Sequence, residues 1–389
     1  MRHMRFSSFS RLSFAWTIGL SSAIVGCLPT APVVEPPAGA FPCFVSDILV
    51  PSCGALIGAS TPSSDGTFDY SVGLAEYEAI AQGTPDILHF YKRGAKGFPT
   101  AAEASMAQRP GQVPSTLFYN WKPSTTQTWS AVAAGGADVA IDQVADGLLA
   151  YPYKVFLSIF HEPENDEKGP GSGMTATDYV AMYRHVVERL RARGVANAVF
   201  VMDYIGYVRW ASRVDAFYPG DDVVDWIGYN PYSFGGETSI DRLVNQPGNW
   251  WPGFYSWATA KAPGKPIMLG EWGFETAAQP NAAAVLDAAV PILRTQFPAI
   301  KAFVYWNGAI GKLDFRLGFP TAAGASFGAA YARFVGDAYF ATTTPTVDPN
   351  AVDPNAVDPN AGLIPASRGP ASDASGADEA LRRPTTDVR

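Results

Sequence analysis

Two glutamates follow apolar runs of the sequence, at points where a buried chain would turn toward solvent. Glu162 ends the run VFLSIFHE, and Glu271 lies near the end of the run PIMLGEW, 109 residues further on. One carboxylate at such a point is an ordinary loop residue. Two that face one cleft can divide the work of a proton donor and a nucleophile. Their chemistry therefore depends on the fold that positions them.

Eight short apolar runs, rich in β-branched and aromatic residues, recur along the middle of the chain. Nearly continuous apolar runs are typical of parallel strands that are buried on both faces. The eight runs cover residues 54–60, 87–93, 115–121, 155–162, 198–204, 223–230, 266–272 and 301–307.

Helical patterns separate several of these runs. The segment 175–194 is the strongest, with a capping box of Thr175 and Asp178 and a stop at Gly194. Its apolar stripe, at three- and four-residue spacing, consists of Val180, Tyr183, Val187 and Leu190. Shorter helices are predicted at 142–150, 282–293 and 328–340.

Eight strands alternating with helices predict an α/β fold, the (β/α)8 TIM barrel, as a single catalytic domain over residues 43–341. A doubly wound open sheet is the alternative, but the first strand precedes no G-x-G-x-x-G turn and the sequence contains no P-loop. In a barrel, catalytic side chains lie at the carboxyl ends of the strands. Glu162 after the fourth strand and Glu271 after the seventh are then expected across the barrel mouth from each other.

A carboxyl pair across a cleft is the machinery of glycoside hydrolysis, and retaining enzymes hold the two groups roughly 5 to 5.5 Å apart. Aromatic side chains suit the apolar faces of sugar rings, and amides suit their hydroxyl groups. Both types occur at the predicted strand ends. Together with His161, the predicted substrate contacts are Asn120, Trp121, Tyr204, Asn230, Tyr232, Trp272 and Trp306.

Three motifs carry a family resemblance. They are the HE that ends the fourth run, YPGDDVVDWIGYNPY (218–232) and PIMLGEWG (266–273). In this order they resemble glycoside hydrolase family 26 and related bacterial (β/α)8 retaining glycosidases of clan A, over roughly residues 54–340. The resemblance implies that Glu162 is the acid/base and Glu271 the nucleophile.

The same resemblance implies roles for the neighbouring residues. His161 precedes the acid/base, Tyr232 contacts the nucleophile, and Trp306 forms an aromatic platform. No cofactor is expected. No metal is expected either, because the chain has only four histidines, and their spacing is not that of a zinc site.

Two departures from the family pattern concern the substrate. The polar segment PENDEKGPGSGM follows Glu162 where many relatives carry an aromatic cluster, and Asn230 stands where many have Asp. β-Mannan is the favoured substrate of the expected retaining endo-β-glycanase. β-1,3/1,4-Glucan and β-xylan are close alternatives, and exo action is a weaker one. A non-catalytic carbohydrate-binding surface protein is the alternative from another class, although binding alone needs no proton donor opposite a nucleophile.

Other polar residues near the strand ends admit two interpretations. Glu164 is the nearest alternative proton donor, but it follows Pro163, so a loop or subsite role is favoured. His89 and Lys92 on the second strand could bind sugar hydroxyls, and Lys92 could equally pair with a barrel carboxylate.

The charge balance bears on partners. A formal net charge of -8 and a pI of about 5.1 give no electrostatic reason to bind nucleic acid, whose recognition rests on clustered Lys and Arg. For the same reason acidic polymers are not expected as partners. The expected partner is a polysaccharide or oligosaccharide, bound by a monomer.

The N-terminus predicts export. Arg2, Arg5 and Arg11 precede the apolar run LSFAWTIGLSSAIVG, which is typical of a signal peptide over residues 1–26. IVGC resembles a lipobox, so Cys27 is a candidate for lipidation, and a plain signal peptide with an incidental Cys27 is the alternative. A linker is expected at 27–42. The protein is therefore expected to be secreted or held in the cell envelope, with a lipid anchor as its only membrane contact.

The remaining cysteines and the C-terminus complete the domain plan. Cys43 and Cys53 form an even pair for an oxidising compartment, so a disulfide between them is expected, with free thiols as the alternative. The VDPNA repeats and the Ala-, Ser- and Pro-rich stretch that follows cannot bury enough apolar surface to fold. Residues 342–389 are therefore predicted to be a disordered tail.

Overall fold

The computed structural model describes residues 43–64, 69–275, 279–310, 312–318 and 321–340. The predicted signal peptide (1–26), the lipid attachment at Cys27, the linker (27–42) and the tail (342–389) lie outside these ranges. They stay predictions.

Eight parallel strands close into a barrel, which confirms the predicted fold. With one additional two-residue strand, β7, they are β1 (Leu56–Ser60), β2 (Ile87–Arg93), β3 (Thr116–Lys122), β4 (Val155–Ile159), β5 (Ala198–Tyr204), β6 (Trp226–Tyr229), β7 (Tyr232–Ser233), β8 (Ile267–Phe274) and β9 (Ile300–Trp306). Strands β1 to β6 pair in chain order, β6 pairs with β8, β8 with β9, and β9 returns to β1. The short β7 pairs with the end of β8, and β10 (Ala309–Ile310) pairs antiparallel with β11 (Leu313–Asp314).

Helices follow most of the barrel strands. They are α1 (Tyr70–Ala81), α2 (Ala101–Ala107), α3 (Trp129–Ala133), α4 (Asp138–Leu149), α5 (Pro163–Asp166), α6 (Ala176–Ala192), α7 (Ile240–Val244), α8 (Phe254–Lys261), α9 (Ala282–Asp287), α10 (Ala289–Gln296) and α11 (Ala322–Val335), with 3-10 turns at Val208–Trp210 and Val214–Phe217. Within the described ranges, none is long and apolar enough to span a bilayer.

Helix α6 shows how the sequence sets these bounds. The predicted capping box is present, because the Thr175 hydroxyl accepts from the Asp178 amide and the Asp178 carboxylate accepts from the Thr175 amide. Three predicted stripe residues, Tyr183, Val187 and Leu190, are buried. Fully burying such a side chain stabilises a fold by roughly 1.5–3 kcal/mol.

Apolar side chains form two cores on either side of the barrel wall. The larger lies between strands and helices, and the smaller fills the barrel interior. The inner core consists of Leu56, Ile87, Phe118, Phe156, Val199, Val201, Trp226, Met268, Ala302 and Val304. Because successive strand residues face opposite sides, this inner set decides which residues nearer the mouth also face inward.

The segment before β1 covers the amino-terminal end of the barrel. Leu49 and Val50 pack against the inner core, and the Trp226 indole donates to the Ile48 carbonyl over 2.6 Å. In the same segment Cys43 and Cys53 stand as a disulfide, with their Cα atoms 5.7 Å apart. The opposite, carboxyl end of the barrel stays open for a site.

Candidate active site

A cavity of about 700 Å³ opens at the carboxyl ends of the strands, and both predicted catalytic glutamates line it. Its wall is largely aromatic, which suits a sugar chain. The aromatic lining consists of Tyr70, Tyr91, Tyr207, Tyr232, Phe234, Trp306 and Phe315.

A β-bulge aims Glu271 into this cavity. Leu269 pairs with Phe303 and Trp272 pairs with Tyr305, so three steps along β8 face two along β9. The extra residue shifts the alternation. Leu269 and Trp272 both pack into the outer core, while Glu271 between them reaches the cavity with 7% of its surface exposed.

Gly270 is what allows the bulge to fit. A Cβ at this position would lie 2.7 Å from Oδ1 of Asp203 and 2.9 Å from Oδ1 of Asn230. Real Cβ atoms do not approach other atoms so closely, so a larger residue would displace the side chains beneath Glu271. The glycine therefore keeps the nucleophile candidate seated over these two polar groups.

Three side chains donate to the Glu271 carboxylate. The hydroxyl of Tyr91 lies 2.7 Å from Oε1 and that of Tyr232 lies 2.7 Å from Oε2. The amide nitrogen of Asn120 lies 3.1 Å from Oε1. Three donors stabilise the ionised form of Glu271, which is the form a nucleophile needs. The contact predicted for Tyr232 is confirmed.

Glu162 is positioned differently from the prediction. Strand β4 ends at Ile159, so Glu162 is not the final strand residue. Phe160 and Glu162 both take left-handed backbone angles, with φ of 56° and 52°, a conformation uncommon for residues other than glycine. The Glu162 amide donates to the Asp203 carbonyl over 2.8 Å, which ties this bend to β5.

Two amides donate to the Glu162 carboxylate. Nδ2 of Asn230 lies 3.1 Å from Oε1, and Nδ2 of Asn165 lies 3.2 Å from Oε2. Asn230 was predicted as a substrate contact, but it is fully buried and holds the acid/base candidate instead. The other predicted amide, Asn120, lines the cavity while it holds Glu271.

Burial raises the pKa of both glutamates. For Glu271 the negative charge of Glu162 raises the pKa further, and its three hydrogen bonds oppose the shift. For Glu162 the hydrogen bond from Asn230 and the positive charge of Lys122 oppose it. Two carboxyl groups that disfavour each other's charge retain one proton to a higher pH than a single group would. The three donors on Glu271 favour placing that proton on Glu162.

A third carboxyl group, Asp203, lies beneath the pair. It is fully buried, and Nδ2 of Asn230 lies 3.4 Å from its Oδ2. Burial, followed by the charges of Glu271 and Glu162, raises the pKa of Asp203 well above its usual range, and hydrogen bonds from Asn230 and Asn120 oppose the shift. Asp203 therefore shares both of its amide neighbours with the two glutamates.

His161 and Trp306 line the cavity, where the sequence predicted substrate contacts. The rings of His161 and Tyr91 meet edge to face at 5.8 Å. Burial, followed by the charges of Lys122 and Arg93, lowers the pKa of His161 to about 3, so the imidazole is neutral near pH 7. Trp306 packs at 6.1 Å from Tyr232 and 5.7 Å from Phe315, so its ring orientation is fixed.

Three predicted substrate contacts are wrong. Trp121, Tyr204 and Trp272 have no exposed surface and belong to the outer core between strands and helices. Each is the immediate chain neighbour of a residue that faces inward, so it points outward. The Trp121 indole, for example, donates to the Gly94 carbonyl over 3.0 Å.

Glu164 is a structural carboxylate. It is fully buried and accepts from the amides of Ile205 and Gly206, at 3.3 and 3.1 Å. It thereby joins the turn after Glu162 to the loop after β5. Burial raises the pKa of Glu164 to about 8.

Lys92 and His89, the two residues of β2 that the sequence left with two interpretations, both have structural partners. The Lys92 ammonium pairs with Glu103 of α2, which is not a barrel strand. His89 stacks on Phe118 at 4.2 Å inside the barrel, and burial lowers its pKa well below the usual range. No cluster of three His, Cys, Asp or Glu side chains within the described ranges could hold a metal ion.

Several cavity residues are absent from the predicted substrate contacts. Tyr91 is a strand-end candidate by its position at the end of the second predicted run, and its alternation with Phe90, which packs into the outer core, turns it toward the cavity. Tyr207, Phe234 and Phe315 stand on loops or short elements, where no periodicity indicates direction. The same holds for Arg209.

Comparison with the sequences of known proteins finds distant relatives. No family model matches the sequence. The chain is 25% identical over 225 residues to β-1,3-xylanase TXYA of a Vibrio species, covering 57% of this chain and 45% of that protein. It is 26% identical over 255 residues to endoglucanase H of Acetivibrio thermocellus, covering 61% and 27%. The chain thus spans less than half of the length of these curated relatives.

Solved structures give the same architecture. A ruminal GH26 endo-β-1,4-mannanase superimposes with a TM-score of 0.52 at 16% identity, covering 74% of this chain and 64% of that one. A β-mannanase from a symbiotic protist of the termite Reticulitermes speratus, solved with a gluco-manno-oligosaccharide, gives 0.50 at 15% identity, covering 76% and 96%. The predicted resemblance is confirmed at the level of fold: the chain has the (β/α)8 architecture of glycoside hydrolase family 26 mannanases.

Proposed function

We propose that this protein is a retaining endo-β-glycan hydrolase in which Glu162 is the acid/base and Glu271 the nucleophile. One observation carries the proposal. Buried Glu271 and half-buried Glu162, from opposite sides of the barrel mouth, line one aromatic cavity, and each is held by its own set of hydrogen-bond donors.

The first step forms a glycosyl–enzyme ester. The Glu271 carboxylate attacks the anomeric carbon, and the bond to the leaving oxygen breaks as Glu162 transfers its proton to that oxygen. Tyr91 and Tyr232 keep Glu271 ionised until attack. Glu162 is left as a carboxylate, stabilised by Asn230 and Asn165.

The second step returns the enzyme to its starting state. Glu162, now ionised, accepts a proton from water, and the hydroxide equivalent displaces Glu271 from the anomeric carbon. Two inversions give net retention. Glu162 ends protonated and Glu271 ionised, as at the start.

The names of the similar proteins support the substrate class. The two solved structures named above are mannanases, and the two curated relatives named above are a β-1,3-xylanase and an endoglucanase. β-Mannan is therefore the first substrate to test, with β-xylan and β-glucan next.

The test is hydrolysis of a panel of β-mannans, β-1,3- and β-1,4-xylans and mixed-linkage glucans, followed as reducing ends. Glu162→Ala and Glu271→Ala should each lose most activity, while the exposed surface variant Glu188→Gln should keep it. Azide should rescue the two alanine variants to glycosyl azides of opposite anomeric configuration. Alanine variants as active as the wild type would overturn the site, and an inactive wild type that still binds glycans would favour the carbohydrate-binding alternative.

We also propose that the protein is exported and lipid-anchored through Cys27. The motif IVGC and the preceding apolar run support this, as does a Cys43–Cys53 disulfide, which suits an oxidising compartment. Mass spectrometry of the membrane-associated protein should find a diacylated Cys27, and Cys27→Ala should release the protein from the membrane fraction. An unmodified Cys27 would refute the proposed lipid anchor.

A further inference from the structure

The catalytic cavity continues into a second, more polar one. The second cavity has a volume of about 340 Å³, and the two share Arg93 and Lys122 in their lining. Ser124, Thr126 and Thr128 contribute hydroxyl groups to the second cavity. A chain of sugars longer than the catalytic cavity therefore has a polar path beside the acid/base.

Cations dominate this path. Lys92, Arg93, Lys122 and Arg209 line the catalytic cavity, and Lys168 lines the second one. The acidic residues that line either cavity are Glu162, Glu271 and Asp166. One proton is retained on the glutamate pair, so the lining carries a positive excess although the whole chain has a formal net charge of -8.

Neighbouring acids neutralise only part of this charge. Lys92 pairs with buried Glu103, and Lys122 pairs with Asp166 at 2.9 Å. Within the described part of the chain, no carboxylate lies within ion-pair distance of Arg93, Lys168 or Arg209. The Arg209 guanidinium instead lies 5.8 Å from the Tyr207 ring and 5.0 Å from the Trp210 ring.

The two arginines stand on opposite walls. Arg93 ends β2, and Arg209 lies in the 3-10 turn after β5. Guanidinium groups present a planar fork of donors that matches carboxylate and sulfate oxygens. Neutral sugar hydroxyls do not need such charges, and the aromatic rings of the catalytic cavity and the hydroxyl groups of the second cavity already suit them.

We infer that the glycan taken by this site carries anionic groups, either uronate carboxylates or sulfate esters, which Arg93 and Arg209 bind. This inference rests on the proposed function and refines its substrate class. It also reverses the expectation from net charge, because the charge of the lining, and not that of the whole chain, acts on a bound sugar.

Binding and hydrolysis test separate claims. Isothermal titration, in a Glu271→Gln background that prevents turnover, compares β-1,4-mannohexaose with a β-1,4-mannuronate hexamer and with 6-O-sulfated mannohexaose. An anionic hexamer is expected to bind roughly 3- to 10-fold more tightly than the neutral one, and the advantage should shrink in 0.5 M salt. The two anionic arms distinguish carboxylate from sulfate.

Variants assign the effect to the two arginines. The double variant Arg93→Gln/Arg209→Gln should reduce the anionic-to-neutral affinity ratio to near one. Arg294→Gln, which removes a partly exposed guanidinium on α10 outside the cavities, should keep the ratio. Equal or tighter binding of the neutral hexamer, or a ratio unchanged in the double variant, overturns the inference. Binding of the anionic hexamer without hydrolysis of any glycan by the wild type would support it while refuting the proposed function.

Discussion

Tyr91, Asn120 and Tyr232 surround the Glu271 carboxylate with donors, and each donor stabilises the ionised form that the proposed nucleophile needs. A hydrogen bond to a charged group is worth about 1.5–3 kcal/mol. The two tyrosines lie at 2.7 Å on different oxygens, so neither can replace the other.

Tyr91→Phe should therefore lower kcat by about 10- to 100-fold, because the phenyl ring keeps the packing but loses the donor. Tyr232→Phe should have a similar effect. Steady-state kinetics on the best substrate of the panel measure this, with the exposed Tyr153→Phe as control. A kcat within twofold of the wild type would show that Glu271 does not depend on these donors.

Asp203 is held protonated beneath the pair, because burial and the charges of Glu271 and Glu162 raise its pKa well above its usual range. An amide in its place is neutral as well, so Asp203→Asn should leave the alkaline limb of the kcat/KM profile where the wild type has it. The pH profile of Glu188→Gln should also match the wild type. An alkaline limb that moves to lower pH in Asp203→Asn, with native melting temperature, would show that Asp203 is ionised and that its charge raises the pKa of Glu162.

The strands were predictable because apolar runs locate them directly. Each of the eight predicted runs overlaps a barrel strand, and the helix at α6 carries its predicted cap. Side-chain direction at the strand ends was harder. Strict alternation along a strand correctly predicts that Asn120 faces the cavity and Trp121 faces the helices. Applied to β8, the same rule wrongly predicts that Glu271 faces the helices.

Local backbone features supply what the pattern lacks. The bulge in β8 and the left-handed residues after β4 re-aim both glutamates, and neither leaves a mark in the hydrophobic periodicity. Gly270 is the residue in the sequence that reflects the bulge, because a side chain at this position would collide with Asp203. Functional sites are where such departures from local rules concentrate.

Glu164 joins the turn after β4 to the loop after β5, so we expect its ionisation to change the free energy of unfolding. Its pKa in the folded state, about 8, lies above the ordinary 4.5, so the folded state holds this proton more tightly than the unfolded state. The stability that results is present at low pH and is lost as pH rises from about 4.5 through about 8.

The Glu164→Gln variant should lose this part of the pH dependence. The slope of its unfolding free energy between pH 5 and 8 should be shallower than in the wild type, by up to about 1.4 kcal/mol per pH unit. Urea titrations at several pH values measure the slope, and Glu188→Gln serves as the matched exposed control. Parallel wild-type and Glu164→Gln curves would show that Glu164 is already ionised throughout this range.

On the scale of the whole molecule, the last described residues pack against the barrel. The Ala55 amide donates to the Tyr339 carbonyl over 3.2 Å, at the start of β1. Phe340 is 4% exposed, and its ring centroid lies 4.7 Å from that of Phe334 and 5.5 Å from that of Phe303. These contacts join the chain after α11 to the first and last barrel strands.

Two truncations should therefore differ sharply. A protein that ends at residue 341 keeps these contacts and loses residues 342–389, which are a short threonine-rich stretch, the VDPNA repeats and the polar stretch after them. This composition cannot build a core. Its melting temperature and kcat/KM should equal those of the full chain.

A protein that ends at residue 336 also loses Tyr339 and Phe340. Because deleting one buried aromatic side chain costs about 3–5 kcal/mol, its melting temperature should fall by several degrees or more. Calorimetry on the three lengths decides: a loss of stability already at 341 would mean that the tail packs on the barrel, against the prediction from its composition.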